Sequence, residues 1–426
     1  MAPANLNRTA EWSTLGQTLR RHSLFWFVAA NSVGVLLAAE LLWPPLGDSL
    51  APFTYGRWIP LHLNWQLYGW CSLPLVGLLV RWIGAGPNQH SAPIITIALW
   101  SWSFALLAGG ISWLAGITSG KLFLDWYGWA RPLLPAAMTL LWGALVWQLW
   151  ANRTTLTAKQ RAAQIAFLLA MFAVPPAIFW ASGRNVYPAV NPHSGGATGA
   201  SLLGSTLGIV GIFGLLPEML GVANRARNAT TYKRVFWILF FLSIVAFTSL
   251  DHTNASSSST GQQVGLGVLL LWIPVAWLYF LAFEWNTSSR PWLAAAFAWW
   301  LLLVCTGFLI FLPAFSERLK FTNALVSHAH LAMAGLITSM NLAILNLLTP
   351  ERPIVRGFWI WQLATALQVV TLAVLGWLEA DRPGALFSSD NWTQELYALR
   401  LASGLIMLIV SVTWFTNCRQ STRRVT

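Results

Sequence analysis

The stretch Asn323-Ala-Leu-Val-Ser-His-Ala-His-Leu-Ala-Met-Ala-Gly335 places two histidines, His328 and His330, two residues apart in an apolar run. This run extends over about residues 321–348, and roughly 20 apolar residues suffice for a membrane-spanning helix. Two residues along an α-helix correspond to roughly 200° of rotation, so the two imidazoles leave the helix on nearly opposite faces. They cannot bind one metal ion together, and if both are ligands they serve two cofactors.

The composition predicts an all-α integral membrane protein. The chain has 426 residues, of which 56% are hydrophobic and only 9% charged, and this is too apolar for a soluble domain. The net charge is +12, but the basic residues lie in short segments between apolar runs, where they set membrane orientation. No nucleic-acid partner is therefore predicted. The three cysteines have no metal-binding spacing, and no C-x-x-C-H motif for covalent haem c occurs.

Twelve apolar segments are long enough to cross a bilayer, which predicts a twelve-transmembrane-helix bundle. The segments lie at about 24–46, 58–83, 93–117, 132–152, 163–182, 199–222, 234–250, 264–284, 291–314, 321–348, 355–378 and 395–416. We expect a cytoplasmic N-terminal segment 1–23, a membrane domain 24–416 and a cytoplasmic tail 417–426. The sequence has no soluble domain and no convincing internal repeat.

The distribution of Lys and Arg predicts the orientation. Seventeen of these residues fall on the side that holds both termini and seven on the other side. Because positive charge is enriched in cytoplasmic loops, both termini are expected in the cytoplasm, and the membrane is expected to be a bacterial cytoplasmic membrane. Arg400 falls inside the last helix, where a charge is costly and normally has a partner.

The predicted topology sorts the histidines. His22 and His90 fall in cytoplasmic segments, where we expect them to be solvated or interfacial. His62 lies a few residues into the second helix, and His328 and His330 lie about two turns into the tenth. Both helices enter from the outer side, so these three side chains are expected at similar depth. An intramembrane histidine can be structural, but ionisable groups there are functional candidates, and a low-spin haem takes one imidazole from each of two helices.

These features resemble subunit I of the haem–copper oxidases, which has an H-x-H pair in the tenth of twelve helices and a histidine early in the second. The phrase Tyr55-Gly-Arg-Trp-Ile-Pro-Leu-His62 is similar to the second-helix entry of the cbb3-type cytochrome c oxidases. The phrase Tyr397-Ala-Leu-Arg400-Leu-Ala-Ser-Gly404 is similar to the last helix of that class. The resemblance covers nearly the whole chain through helix count and motif order, and it is specific at these three places.

The resemblance implies roles for individual residues. His62 and His330 would be the axial pair of a low-spin haem b, and His328 would be the proximal ligand of a second, high-spin haem. Haem propionates emerge on the outer side in this family, and basic side chains there bind carboxylates strongly. The basic residues expected to contact them are Arg57, Arg318 and Lys320. For these residues a purely topogenic or interfacial role is an equal alternative.

The copper site of the family is harder to recognise. It needs three histidines, one on the sixth helix and an adjacent pair at the outer end of the seventh. The chain has Asp251-His252 where the pair is expected, and His193 lies before the apolar part of the sixth helix. Imidazole suits copper better than carboxylate, so no ordinary copper site is expected, and these three residues are candidates only for a residual metal site. No tyrosine occurs within 200–222 or 235–250, so the catalytic tyrosine of the family is not recognisable.

The sequence thus predicts a haem b membrane protein that carries electrons in a respiratory complex, as an oxidoreductase subunit without an ordinary oxygen-reducing centre. Its expected partners are the lipid bilayer, other subunits of the complex and a cytochrome c-type electron donor. The alternative is a twelve-helix secondary transporter without haem. That alternative gives no reason for three histidines at one depth.

Overall fold

The computed structural model describes residues 3–225, 229–382 and 391–420, and the side chains of 3–11, 391, 419 and 420 are not described. Residues 1–2 and 421–426 of the two predicted terminal segments lie outside the described residues. Within the described ranges, twelve helices are long and apolar enough to cross a membrane. They are α1 (Trp12–Leu42), α2 (Tyr55–Ala85), α3 (Ala92–Leu114), α4 (Gly128–Ala151), α5 (Ala158–Ala181), α6 (Gly199–Met219), α7 (Ala229–Ser249), α8 (Thr260–Leu281), α9 (Arg290–Ile310), α10 (Asn323–Leu348), α11 (Phe358–Asp381) and α12 (Trp392–Cys418). The predicted all-α, twelve-helix fold is confirmed.

The first helix differs from its predicted limits. Its helical backbone begins at Pro3 and ends at Leu42, so the expected boundary between residues 23 and 24 is not a helix boundary. The polar residues before 24 indicated where the apolar run begins, and polarity does not stop a helix. The end comes earlier than expected because Pro44 and Pro45 have no backbone N–H to continue the helical hydrogen bonds, and Pro44 also disfavours helical backbone at Trp43. A separate short helix, Pro45–Ser49, follows.

Two of the spans contain a widened, π-helical segment. In α2, regular helix over Tyr55–Asn64 passes into π-helix over Trp65–Cys71 and returns to α-helix at Leu73–Trp82. In α10, regular helix over Asn323–His330 passes into π-helix over Leu331–Ile337 and returns at Thr338–Leu348. Such segments are rare in proteins, and those that occur are often found at functional sites. Both of them directly follow the stretch that carries the intramembrane histidines.

The remaining features of the fold are a break within α5 and several short elements. α5 consists of Ala158–Met171 and Val174–Ala181, and it breaks where Pro175-Pro176 begins the second piece. Further short helices are Arg153–Thr155 and Pro313–Leu319. Single β-bridges join Val190 to Ala197 and Asn224 to Phe283.

The chain divides into two compact units. The first comprises Met1–Tyr187, Ile344–Gly357 and Gly404–Thr426, and the second comprises Pro188–Ala343 and Phe358–Ser403. Both units bury whole tryptophan side chains in their cores. Fully buried indoles of the first unit belong to Trp70, Trp113 and Trp126, and those of the second to Trp272, Trp292, Trp300 and Trp361.

Donors from other helices satisfy the last carbonyl groups of α10, which its own helix leaves unpaired. Arg81 Nη1 donates to the carbonyl of Leu347 at 2.9 Å, and Trp12 Nε1 donates to that of Leu348 at 3.1 Å. Arg20, which is buried, donates to Thr349 Oγ1 at 2.9 Å. Basic residues counted as orientation signals therefore also hold the end of this helix in place.

Candidate haem-ligand site

His62 is fixed by α1. Its Nδ1 lies 2.8 Å from the carbonyl oxygen of Ala30, and a carbonyl can only accept, so Nδ1 carries the hydrogen and Nε2 of the neutral ring has the lone pair. The ring also lies against Gly34, because a Cβ atom at that position would be 2.7 Å from Cε1 of His62. Only glycine leaves room for the imidazole there.

His328 is fixed by α9. Its Nδ1 lies 2.9 Å from Oγ1 of Thr306, and that hydroxyl donates its single hydrogen to the carbonyl of Leu302 at 2.8 Å, with Leu303 at 3.1 Å. With the hydroxyl hydrogen directed to these carbonyls, the hydroxyl accepts from His328, which assigns the ring hydrogen to Nδ1. A Cβ atom at Gly307 would lie 3.1 Å from Cε1 of this ring, so a glycine again makes the space beside the imidazole.

His330 is fixed by its own helix. Its Nδ1 lies 2.8 Å from the carbonyl of Val326, one turn earlier. All three intramembrane histidines thus have Nδ1 as donor and Nε2 as the nitrogen with the lone pair. This is the tautomer that metal ligation through Nε2 requires, since the other ring nitrogen of such a histidine normally donates to a carbonyl or similar acceptor. The donor set therefore fits haem iron.

The surroundings of His62 and of His328 repeat each other in detail. In each case the π-helical segment begins three residues after the histidine, and a glycine follows seven residues after it, at Gly69 and Gly335. A Cβ atom at Gly69 would lie 2.5 Å from the side chain of Trp26 in α1, and one at Gly335 would lie 2.7 Å from that of Trp299 in α9. Trp26 lies eight residues before Gly34, the glycine beside His62. Trp299 likewise lies eight residues before Gly307, the glycine beside His328.

In both π-helical segments, two consecutive backbone carbonyls accept hydrogen bonds from the same kinds of side chain. A hydroxyl ten residues after the histidine donates five residues back: Ser72 to Leu67 and Thr338 to Met333, both at 2.8 Å. An indole from the next helix donates to the following carbonyl, from Trp102 to Tyr68 at 2.9 Å and from Trp361 to Ala334 at 3.0 Å. Helices α1–α3 and α9–α11 therefore share a local architecture that no sequence repeat had indicated.

The repeat also shows where α2 and α10 differ. The position of His330 corresponds in α2 to Asn64, whose Nδ2 donates to the carbonyl of Pro60 one turn earlier at 2.8 Å. The same Nδ2 donates to Asp125 at 2.9 Å, and Thr118 donates to the other carboxyl oxygen. Burial raises the pKa of Asp125, and these two hydrogen bonds act in the opposite direction. Asp125 is thus held by Asn64 and Thr118 and not by a basic side chain.

Helix α10 is held closely against α11 and α12 near its N-terminal end. A Cβ atom at Gly376 would lie 2.0 Å from the backbone nitrogen of Ala324, so the two backbones are in contact. Asn323 donates to Glu379 through its backbone nitrogen at 2.8 Å, and Arg400 Nη1 lies 3.4 Å from Asn323 Oδ1. The expected partner of the intramembrane arginine is therefore an asparagine at the start of α10, which confirms that it has one.

The three basic residues expected near propionates have different surroundings. Arg57 donates to the carbonyl of Leu114 at 2.9 Å. Arg318 forms an ion pair with Asp381, and both side chains are about half exposed. Lys320 is only 6% exposed, and its Nζ lies 3.3 Å from the place of a Cβ atom at Gly195. Burial lowers the pKa of Lys320. A role toward propionates stays a prediction for all three.

The candidates for a residual metal site are engaged locally. His252 is exposed, and its Nε2 donates to the carbonyl of Phe247 at 2.9 Å. The carboxylate of Asp251 accepts from the backbone and hydroxyl of Thr253, which lowers the pKa of Asp251. His193 is exposed in the segment before α6. Across the described ranges, no three His, Cys, Asp or Glu side chains form a group that could hold a metal ion. A residual metal site at these three residues stays a prediction.

One histidine lies in an environment that the sequence did not indicate. His22 was expected to be solvated or interfacial, and this is wrong: it is 8% exposed, its Nδ1 lies 2.7 Å from Ser103 Oγ, and its ring packs edge-on against Trp100. It lies within α1, which starts earlier than predicted. His90, by contrast, is exposed as expected.

Comparison with known proteins gives relatives of one kind. The chain is 22% identical over 450 residues to a cytochrome c oxidase subunit 1 homologue from bacteroids of Bradyrhizobium diazoefficiens, which covers 91% of this chain and 78% of that protein. It is equally similar to a homologue from Azorhizobium caulinodans, over 92% of this chain and 78% of the relative. A shorter match, 27% identical over 124 residues, joins 29% of this chain to 25% of the cbb3-type cytochrome c oxidase subunit CcoN1 of Stutzerimonas stutzeri.

The fold agrees with these sequence relationships. A cryo-EM structure of a haem–copper terminal oxidase dimer aligns with a TM-score of 0.55 at 11% identity, covering 96% of this chain and 84% of that one. No protein-family model matches the sequence. The chain is a distant homologue of haem–copper oxidase subunit I, over about 91% of its length.

Proposed function

We propose that this protein binds haem b and carries electrons as the subunit I-like component of a respiratory membrane complex. The observation that carries the proposal is the common state of three intramembrane histidines: Nδ1 of His62, His328 and His330 donates, and Nε2 keeps the lone pair. Two of these rings lie against glycines at which a Cβ atom would be within 3.1 Å. Structural histidines need neither feature, whereas ligands of haem iron need the first.

In this proposal His62 and His330 hold one low-spin haem and His328 holds a second, high-spin haem. Bound haem iron would supply one-electron chemistry. The residues of this chain orient the imidazoles: Ala30, Thr306 and Val326 fix the tautomers, and the glycines fix the ring positions. The rotation of roughly 200° between His328 and His330 supports two cofactors on opposite faces of α10.

Oxygen reduction at a copper site is not part of the proposal. His252 uses Nε2 as a donor to its own helix end, and the carboxylate of Asp251 is occupied by Thr253. Electron donors and further subunits are proposed by analogy with the oxidase relatives, with a cytochrome c-type protein as the donor class.

Optical spectroscopy of the purified protein tests the function. We expect a reduced-minus-oxidised haem b spectrum and two haems per chain by the pyridine haemochrome assay. His62→Ala and His330→Ala should each remove the low-spin signal, while His90→Ala, at an exposed histidine, should leave it unchanged. A protein without a haem signal would refute the proposal and favour a transporter. Stoichiometric copper, together with oxygen uptake that requires His252, would refute its electron-transfer-only form.

A further inference from the structure

The hydrogen-bond partner of His328 differs from that of its counterpart His62. In the repeated architecture, Gly307 of α9 corresponds to Gly34 of α1, so Leu303 corresponds to Ala30 and Thr306 to Val33. His62 Nδ1 donates directly to the Ala30 carbonyl at 2.8 Å. His328 Nδ1 instead donates to the hydroxyl of Thr306 at 2.9 Å.

The Thr306 hydroxyl lies between the histidine and the backbone carbonyl that its counterpart would use. It is 2.8 Å from the Leu302 oxygen and 3.1 Å from the Leu303 oxygen. At the corresponding place in α1, Val33 has no hydroxyl, and the direct bond from the ring to the carbonyl forms.

The ring positions agree with this difference. A Cβ atom at Gly34 would lie 2.7 Å from Cε1 and 3.0 Å from Nδ1 of His62. A Cβ atom at Gly307 would lie 3.1 Å from Cε1 and 3.7 Å from Nε2 of His328. The imidazole of His328 is thus set farther from its glycine, and it is turned so that Nε2 and not Nδ1 is the nearer nitrogen.

We propose that Thr306 is a positioning residue that makes His328 a weaker iron ligand than His62. A hydroxyl oxygen is a weaker hydrogen-bond acceptor than an amide carbonyl, and an acceptor on Nδ1–H raises the basicity of Nε2. The interposed hydroxyl therefore gives Nε2 of His328 less electron-donating character. This inference rests on the proposed function, since it concerns the haem that His328 would hold.

The decisive variant is Thr306→Val, which gives α9 the Val-Gly pair that α1 has at positions 33 and 34. It should allow His328 Nδ1 to reach the Leu303 carbonyl, as His62 reaches that of Ala30. We expect the iron–histidine stretching band of the ferrous high-spin haem to move to higher frequency in resonance Raman spectra. The midpoint potential of that haem should fall, because a more basic ligand favours oxidised iron.

Three controls make the result specific. Thr306→Ser keeps the hydroxyl and should retain the wild-type band and potential. Thr139→Val removes a comparable bond, from a helix threonine to the Pro135 carbonyl at 2.9 Å, at a site without histidine, and should change neither. Val33→Thr places a hydroxyl at the counterpart position and should raise the potential of the low-spin haem alone, which tests the inference even if Thr306→Val does not assemble.

An unchanged or lower stretching frequency in Thr306→Val, with the high-spin haem present, would overturn the inference and leave the proposed function standing. An equal shift in Thr306→Ser would also overturn it. If the wild-type protein has no high-spin haem at all, the proposed role of His328 fails and this inference fails with it.

Discussion

Substituting Gly34 by alanine tests the contact between α1 and His62. The new Cβ atom would lie 2.7 Å from Cε1 and 3.0 Å from Nδ1 of His62, whereas carbon atoms in favourable contact are about 3.5–4.0 Å apart. Overpacking of this kind costs about 1–3 kcal/mol, and displacing the ring also weakens its bond to Ala30, worth about 0.5–1.5 kcal/mol. Alanine regains about 1 kcal/mol of helix propensity. We therefore expect a net loss of about 1–3 kcal/mol.

Two measurements separate the structural part of this prediction from the functional part. Thermal unfolding in detergent should show a lower melting temperature for Gly34→Ala, and the reduced-minus-oxidised spectrum should show a diminished low-spin haem signal. The matched control is Gly143→Ala in α4, where a Cβ atom would meet nothing within 4 Å, so stability and spectrum should be kept. Full stability of Gly34→Ala would refute the packing argument, and lost stability with an intact haem signal would refute the role of His62.

Three further outcomes are expected in thermal unfolding. Burial raises the pKa of Asp125 in the folded protein above its ordinary value of 3.8, so the stability that the protonated carboxyl contributes is lost as pH rises through that folded pKa. Asp125→Asn should remove this decline in melting temperature. Parallel pH curves for the variant and the wild type would contradict the reasoning. Lys121→Met should lower the free energy of unfolding by about 1.5–3 kcal/mol. The reason is that Nζ donates to three carbonyls at and just after the end of α5, those of Ala181, Gly183 and Val186. An unchanged melting temperature would show that these bonds add nothing. Gly376→Ala should destabilise the protein most, since its Cβ atom would lie 2.0 Å from the backbone nitrogen of Ala324. Its control, Gly208→Ala, should be neutral, because a Cβ atom there would meet nothing within 4 Å. Equal effects of the two variants would refute the close approach of α10 and α11.

Hydropathy was sufficient for the number and positions of the membrane-spanning helices, because each span must satisfy its own backbone and must be long enough for the bilayer. The second and tenth helices, with His62, His328 and His330, followed from the same reasoning. Helix limits were less well predicted, since polarity marks the end of the apolar run and not of the helix; His22 was misassigned for that reason. The shared spacing of His62 and His328 to a glycine seven residues on and a hydroxyl ten residues on was present in the sequence. It is too short a signal to be recognised without the two π-helical segments.

The sequence by itself determined twelve helices, the two-sided H-x-H geometry of α10 and the family to which the chain is distantly related. These properties depend on the order and spacing of residues along single helices. The tertiary structure decided what His62 and His328 face: Ala30 and Gly34 from α1, and Thr306 and Gly307 from α9. His330 instead bonds to Val326 of its own helix. The partners of His62 and His328 are 21 to 32 positions away in the sequence, on a neighbouring helix. Only packing could bring them to the imidazoles and so set the tautomers.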